Sequence, residues 1–371
     1  MATAPRRTRR IAVMPILQAG IDPGTAEHYL WCNSETISWG TLPTPETAPV
    51  LTVDSGRTVT FDTVSQEGLM EDQGRDPVAY FGRHGVERTD VLADAIDLAA
   101  SDLRKPVPPK APHIVLGPVH VRGARPGDWL RVDFLDLRPR VPYGVVSSRH
   151  QRGALPDRLP READGSIPAV FSKFCRLDGT GTRAVFEFGS GRATIGIRPF
   201  MGLCGVTPAG PEARSTIPPG PFGGNMDVRD IVVGSSLYLP VQVPGAGFYL
   251  GDPHFAQGNG EIALTALEGS LRITARLTVV SALTPARAPM PFVDTDDHWI
   301  ILGMDESLDE AMRQCAQLSV DFLSAHTGMT PSEAYLYLSA AGDFSVTQVV
   351  DIVKGVHCAI RKSDFCQESD G

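Results

Sequence analysis

The sequence lacks a long apolar run and an excess of basic residues, the features of proteins that span membranes or bind nucleic acids. It contains no apolar run that approaches the ~20 residues of a membrane-spanning helix. Basic residues are not in excess, because 34 Lys and Arg stand against 43 Asp and Glu, for a net charge of -9. Since a phosphate backbone binds a basic face, we expect neither nucleic acid nor an anionic membrane surface as a partner.

The sequence also lacks a disulfide or zinc-finger pattern. Its 6 cysteines include no CxxC pair and no closely spaced framework. Cys315 falls on the apolar face of a predicted helix and Cys358 in an alternating strand, which predicts reduced core thiols in a cytoplasmic protein. No convincing signal peptide follows the basic start MATAPRRTRR, which we interpret as an exposed arm.

Turn-forming residues are abundant and evenly spread, with 37 Gly and 31 Pro. This distribution favours many short strands over disorder. The clearest strand runs from Leu271 to Val279, and a capping box at Ser307 predicts a helix that ends before Gly328. The fold class predicted is β-rich α+β, with antiparallel sheets in a β-sandwich or barrel-like arrangement and a few packed helices.

The chain divides into three predicted segments. Residues 11–110 form an N-terminal β segment with one helix, and residues 111–285 form a central β core that carries the site. Residues 286–371 supply C-terminal helices and strands that pack on this core.

Residues 220–261 contain the most informative stretch of the sequence. Two polar clusters, GGNMDVRD and GDPHFAQGNGE, flank the apolar run SSLYLPVQVPGAGFYL. Gly-rich turns at the ends of predicted strands would place the acids and His254 on loops held by a rigid backbone. Carboxylates together with an imidazole indicate a metal site, although the same acids could serve only to close turns.

Four phrases in this order resemble the acetamidase/formamidase family: RPFMGLCGVTPAG, STIPPGPFGGNMDVRD, YLPVQVPGAGFYLGDPHFAQGNGE and SAAGDFSVTQVVD. The resemblance extends over most of the chain. It implies a β-sandwich core and an amidohydrolase that cleaves a small linear amide, such as formamide or acetamide, to its carboxylate and ammonia.

Amide hydrolysis requires an activated water, stabilisation of the oxyanion and a proton for the leaving ammonia. We expect Asp227 and His254 to bind a divalent metal, zinc rather than calcium, because zinc accepts an imidazole beside carboxylates. Asp252 lies two residues from His254, so in an extended segment both side chains point the same way, and Asp252 either binds the metal or orients the imidazole. Glu261 is the expected general base.

Oxyanion donors are expected in the same clusters, from the Gly223 and Gly224 amides and from Asn225 and Gln257. His28 is a further catalytic candidate, because its HYLW phrase resembles an N-terminal signature of the family.

The sequence does not decide whether two loops contribute to the site. Relatives carry an acid or a His where this chain has Ser65 and Gln66, and we interpret the adjacent Glu67 as a solvated acid. The segment 142–168 is predicted to be a long excursion or lid.

A second class of function is a non-catalytic β-sandwich module in which the same acids bind a structural ion. The partner expected of the enzyme is a small amide, and the expected assembly is a homo-oligomer.

Overall fold

The computed structural model describes residues 14–103, 111–281 and 290–365. The predicted N-terminal arm, Cys366 and the segment boundaries near 110 and 285 lie outside these residues. Strands of the first half are β1 (His28–Trp31), β2 (Ile37–Trp39), β3 (Leu51–Val53), β4 (Arg57–Asp62), β5 (Ile114–Val121), β6 (Trp129–Pro139), β7 (Tyr143–Arg149), β8 (Val170–Leu177), β9 (Arg183–Phe188) and β10 (Gly191–Gly196).

Strands of the second half are β11 (Phe200–Val206), β12 (Gly223–Asn225), β13 (Ser236–Pro240), β14 (Phe248–Ala256), β15 (Leu267–Glu268), β16 (Leu271–Val280), β17 (Phe292–Asp294), β18 (His298–Asp305), β19 (Asp343–Gln348) and β20 (Lys354–Arg361). The helices are α1 (Pro77–Gly82), α2 (Ala93–Ala100), α3 (Leu308–Thr327) and α4 (Pro331–Ala341), with short 3-10 turns at Glu71–Gln73, Arg88–Asp90 and Lys362–Phe365.

These strands form two open, mostly antiparallel sheets. The nine-stranded sheet has the order β1-β4-β16-β6-β13-β17-β18-β20-β19. The eleven-stranded sheet follows β10-β9-β8-β7-β15-β14-β11-β12, and β5 joins it at β14 and pairs with β2 and β3. The β-rich α+β prediction is therefore confirmed, as a pair of open sheets with no closed barrel among the described strands.

A shared core joins the two sheets. Phe61 of β4 and Phe248 of β14 are both fully buried, and their ring centroids lie 6.0 Å apart. The apolar faces of alternating strands thus meet between the sheets, as in a β-sandwich. The helices α3 and α4 pack on β18 and β20 around a second cluster that contains Cys315 and Cys358.

Local signals in the sequence identified several of these elements. Ser307 caps α3 and Gly328 ends it in the left-handed conformation, and Thr330 and Glu333 form a complete capping box at α4. The apolar run EIALTAL at 261–267 predicts a strand that begins at Glu261, but residues 262–264 form turns before the short β15 begins. None of the described helices has the length and apolar character needed to cross a bilayer.

A buried ion-pair network holds the loop that follows β4. The Asp62 carboxylate accepts hydrogen bonds from Arg272 at 2.6 and 2.7 Å and from the Tyr29 hydroxyl at 2.6 Å. Arg140 donates at 3.0 Å to the Thr63 carbonyl, the first residue of that loop. Because breaking such a buried pair is costly, the network gives residues 63–70 a fixed position against the eleven-stranded sheet.

Candidate active site

Strand β14 lies inside the eleven-stranded sheet and carries Asp252 and His254. Both residues lie within the strand, not on a loop at its end as the sequence had suggested. Their side chains point the same way, as expected for positions two apart, and His254 Nε2 lies 3.0 Å from Asp252 Oδ2. The neighbouring β15 brings Glu268 Oε1 to 3.0 Å from the same nitrogen.

Two turns complete the cluster. Asp227 follows β12, and its Oδ1 lies 3.9 Å from His254 Nδ1. Glu261 follows the Gly258–Gly260 turn, which is fixed to the end of β19 by a hydrogen bond from the Gly260 amide to the Thr347 carbonyl. Asp351 joins from the turn after β19, with its carboxylate within 4.8 Å of those of Asp227 and Glu261.

The backbone at three of these acids is strained. Asp227, Asp252 and Glu261 have φ angles of 52°, 54° and 44°, a left-handed region that residues other than glycine adopt rarely. Such conformations persist where the surrounding structure imposes them, and they concentrate at functional sites.

A glycine of β11 makes room for the cluster. A Cβ atom on Gly202 would lie 2.5 Å from Asp227 Oδ1, 2.6 Å from His254 Cε1 and 2.9 Å from Asp252 Oδ2. Only a residue without a side chain therefore allows these three groups to pack against the β11 backbone.

Burial and mutual repulsion set the protonation of these groups. Burial first, then the Asp351 charge, raises the pKa of Asp227 well above its usual value, and burial followed by Asp227 does the same for Glu261. Burial raises the pKa of Glu268 to about 8. Burial opposes the charged form of His254, but Glu268 and Asp252 outweigh it and raise the imidazole pKa.

Several polar atoms of the cluster are buried without a hydrogen bond. They are His254 Nδ1 and Nε2, Asp227 Oδ1, Glu261 Oε2 and Asp351 Oδ2. His254 Nε2 also lies 3.0 Å from one carboxylate oxygen each of Asp252 and Glu268. Buried polar groups normally have partners, so this set of lone pairs fits a bound cation. Three overlapping groups satisfy the spacing of metal ligands: Asp227, Asp252 and His254; His254, Glu261 and Glu268; and Asp227, Glu261 and Asp351.

The loop after β4 contributes to the site despite its departure from the family pattern. Gln66 Nε2 donates to Asp252 Oδ1 at 2.8 Å. Glu67 is not solvated as predicted: it is buried and accepts a hydrogen bond from Arg149 at 2.9 Å. His113, at the start of the segment leading into β5, lies beside Asp252 with Nε2 3.9 Å from Oδ2.

These groups open into a cavity of about 200 Å³. The lining includes Asn225, whose Oδ1 is buried without a partner, as well as His150 and Arg152 from the segment after β7. A second cavity of about 310 Å³ is lined mainly by aromatic and aliphatic side chains between α3 and the nine-stranded sheet, and it shares no lining residue with the first. The buried carboxyls of the His254 cluster therefore line the first cavity and not the second.

Other sequence candidates lie elsewhere or are already engaged. His28 is on β1, at the edge of the nine-stranded sheet, and is not among the residues that line the cavity. Gln257 Nε2 donates to the Asp227 carbonyl at 2.9 Å, and the Gly223 amide donates to the Gly220 carbonyl at 2.9 Å. Gly224 pairs with Cys204 in the β11–β12 ladder.

Sequence reasoning missed Glu268, Asp351 and His113. Asp351 ends the phrase SAAGDFSVTQVVD, which was used only as a family signature, so a signal for it existed. Glu268 and His113 carry no local motif, since only the pairing of β15 and β5 with β14 brings Glu268 near His254 and His113 near Asp252.

Comparisons with known proteins agree with the sequence resemblance. Residues 201–361 match the model of the Acetamidase/Formamidase family. The formamidase of Methylophilus methylotrophus is 34% identical over 260 residues, which cover 54% of this chain and 61% of that relative. The chain spans about half to three fifths of the length of the curated relatives it matches.

Solved structures match over a greater length. The acetamidase of Bacillus halodurans superposes with a TM-score of 0.71 and 27% identity, covering 91% of this chain and 98% of that one. The acetamidase of Yersinia enterocolitica gives a TM-score of 0.72 and 26% identity, covering 96% and 98%. The predicted resemblance is confirmed, and residues 201–361 carry the Acetamidase/Formamidase family domain.

The close approach of Gly202 to the cluster predicts that Gly202→Ala will disturb it. The added methyl group would displace the side chains of Asp227, Asp252 and His254, so the variant should bind Zn²⁺ about 10–100-fold more weakly, the range seen when groups that orient metal ligands are changed. Zn²⁺ titration by calorimetry measures this. Gly196→Ala is the matched control, because Gly196 lies on β10 with open space around it. Equal Zn²⁺ affinity in the two variants would contradict the prediction.

Proposed function

We propose that the protein is an amidohydrolase that cleaves a small linear amide, such as formamide or acetamide, to its carboxylate and ammonia. The observation that carries this proposal is the buried set of carboxyls around His254, which opens into a cavity large enough for a small molecule. Similarity to proteins named formamidase and acetamidase supports it.

Asp227, Asp252 and His254 are the residues that we propose hold a divalent cation. An imidazole among carboxylates favours zinc over calcium, which prefers oxygen ligands alone. When bound, such a cation polarises a carbonyl and lowers the pKa of a bound water to about 7. Gln66 and His113 contact Asp252 from outside this set and would fix the orientation of its carboxylate.

Glu261 is the proposed proton carrier. Its carboxyl lines the cavity, has a buried oxygen without a partner and has a pKa raised by burial and by Asp227. With a cation bound nearby, whose charge favours the ionised form, this carboxylate can accept a proton from water and deliver it to the leaving nitrogen. Asn225, which lines the same cavity, is the oxyanion donor that we propose through its side-chain amide.

A non-catalytic metal-binding module is the second candidate, and the ligand groups alone fit it equally well. The cavity beside the ligands favours the enzyme, since a structural metal site is normally closed by protein ligands. The homo-oligomeric assembly and the cytoplasmic location stay predictions.

Ammonia release from a panel of amides tests the proposed activity. The zinc-loaded protein should release ammonia from at least one primary aliphatic amide, because the site combines a cation, a base and an oxyanion donor. Urea and acetonitrile serve as controls for unrelated nitrogen chemistry. A panel that yields no ammonia from any amide would favour the binding module.

Glu261→Gln tests the role of the carboxylate. The substitution keeps the size of the side chain but removes its ability to accept a proton, so turnover should fall about 10²–10⁴-fold with bound metal and melting temperature nearly unchanged. Glu187→Gln, at an exposed position on β9, is the control and should match the wild type.

Three quantities separate the possible roles of Glu261: turnover, metal content and melting temperature. Loss of metal in parallel with turnover would make the carboxylate a ligand. Turnover equal to that of Glu187→Gln would remove Glu261 from the mechanism.

A further inference from the structure

The walls of the cavity change in character from floor to rim. Asp227, Asp252 and Glu268 are at most 3% exposed and form an acidic floor. His150 and Arg152 line the same cavity but are exposed, so they stand at its rim. A molecule in this cavity thus meets buried carboxyls at one end and cationic or titratable groups at the other.

Arg152 is the guanidinium at this rim that no described carboxylate neutralises. Arg149, the other guanidinium that lines the cavity, is neutralised by Glu67 at 2.9 Å and Asp72 at 2.6 Å. The Arg152 side chain forms no hydrogen bond or ion pair with any residue in the described parts of the chain. Its backbone is nevertheless fixed, because its amide donates to the Arg149 carbonyl at 3.0 Å. A guanidinium has the planar donor geometry that matches a carboxylate.

The segment that carries Arg152 is also hydrogen-bonded to the turn that contains Glu261. The Ala154 amide donates to the Ile262 carbonyl at 2.8 Å, and a Cβ on Gly153 would lie 2.9 Å from that oxygen. Ile262 directly follows Glu261 in sequence. The backbone that carries Arg152 is therefore tied to the turn that carries the proposed base.

The size and the apolar lining residues of the cavity indicate a substrate longer than acetamide. A volume of about 200 Å³ leaves space beside formamide or acetamide for a longer chain. Met70, Ile217 and Leu264 line the cavity as well and offer apolar contacts suited to methylene groups.

We propose that the preferred substrates are monoamides of short dicarboxylic acids, bound with the amide at the acidic floor and the free carboxylate on Arg152. This inference rests on the proposed amidase function and specifies its substrate class. In the reaction, the water oxygen bonds to the amide carbon and the carbon–nitrogen bond breaks. The nitrogen leaves as ammonia with one proton from that water, the second proton passes to the ammonia to give ammonium, and the product is the dicarboxylate.

A pair of isosteric substrates tests the proposal. Succinamate carries a carboxylate at the end remote from its amide, and the corresponding methyl ketone has the same length without the charge. The wild-type protein should show a kcat/KM at least about 10-fold higher for succinamate, because a hydrogen bond to a charged group contributes this much or more. Arg152→Ala should lower the ratio of the two kcat/KM values about 10–100-fold, mainly through KM for succinamate, and Arg152→Lys should restore part of it.

Arg158→Ala is the matched control, because Arg158 is exposed in the same segment but does not line the cavity. It should keep the wild-type ratio. Equal kcat/KM values for the two substrates in the wild type, or a wild-type ratio in Arg152→Ala, would overturn this inference and leave the amidase function standing. Ammonia release from neither substrate nor from any simple amide would overturn both.

Discussion

The repulsion among buried carboxyls around His254 is the constraint on which the site depends. Asp227, Asp252, Glu261 and Glu268 are each at most 7% exposed, so bulk water screens their charges only weakly. Burial, followed by the charge of Asp252, raises the pKa of Glu268 to about 8. A proton on Glu268 then relieves part of this repulsion. A divalent cation would relieve it more completely and reverse the direction of these pKa shifts, because its charge favours the ionised carboxylates.

The fold gives this unfavourable cluster a rigid support. Asp252 and His254 belong to a central strand, and Gly202 of the next strand leaves space for their side chains. Asp227 and Glu261 are held in left-handed turns, and Gly260 ties the Glu261 turn to β19. Strain and crowding of this kind are stable only when the surrounding sheet over-determines them.

The sequence predicted the parts of the site that lie close together along the chain. The polar clusters near residues 227 and 254 contain groups that the structure does bring together. Strand β11 pairs on one side with β12, which precedes Asp227, and on the other with β14, which carries His254. Local signals also identified β16 by its alternation and α3 by its capping.

Partners distant in sequence could not be predicted in the same way. Glu268 and His113 become neighbours of Asp252 and His254 only through the register of β15 and β5 against β14. Glu67 appears polar and solvated in the sequence, but Arg149 from β7 draws it into a buried ion pair. The placement of Asp252 and His254 within β14 was missed because Gly251 and Pro253 resemble turn residues.

The most direct test of the central claim is the number of protons released when Zn²⁺ binds. Calorimetric titrations at pH 7 in buffers of different ionisation enthalpy provide it. The pKa of Glu268, which burial raises to about 8, means that this group holds a proton before the ion enters, and the pKa values of Glu261 and His254 are raised as well. The account therefore predicts tight binding with release of about one proton or more per ion, and much weaker binding in His254→Ala. Zn²⁺ binding without proton release, or equal binding in His254→Ala, would contradict it.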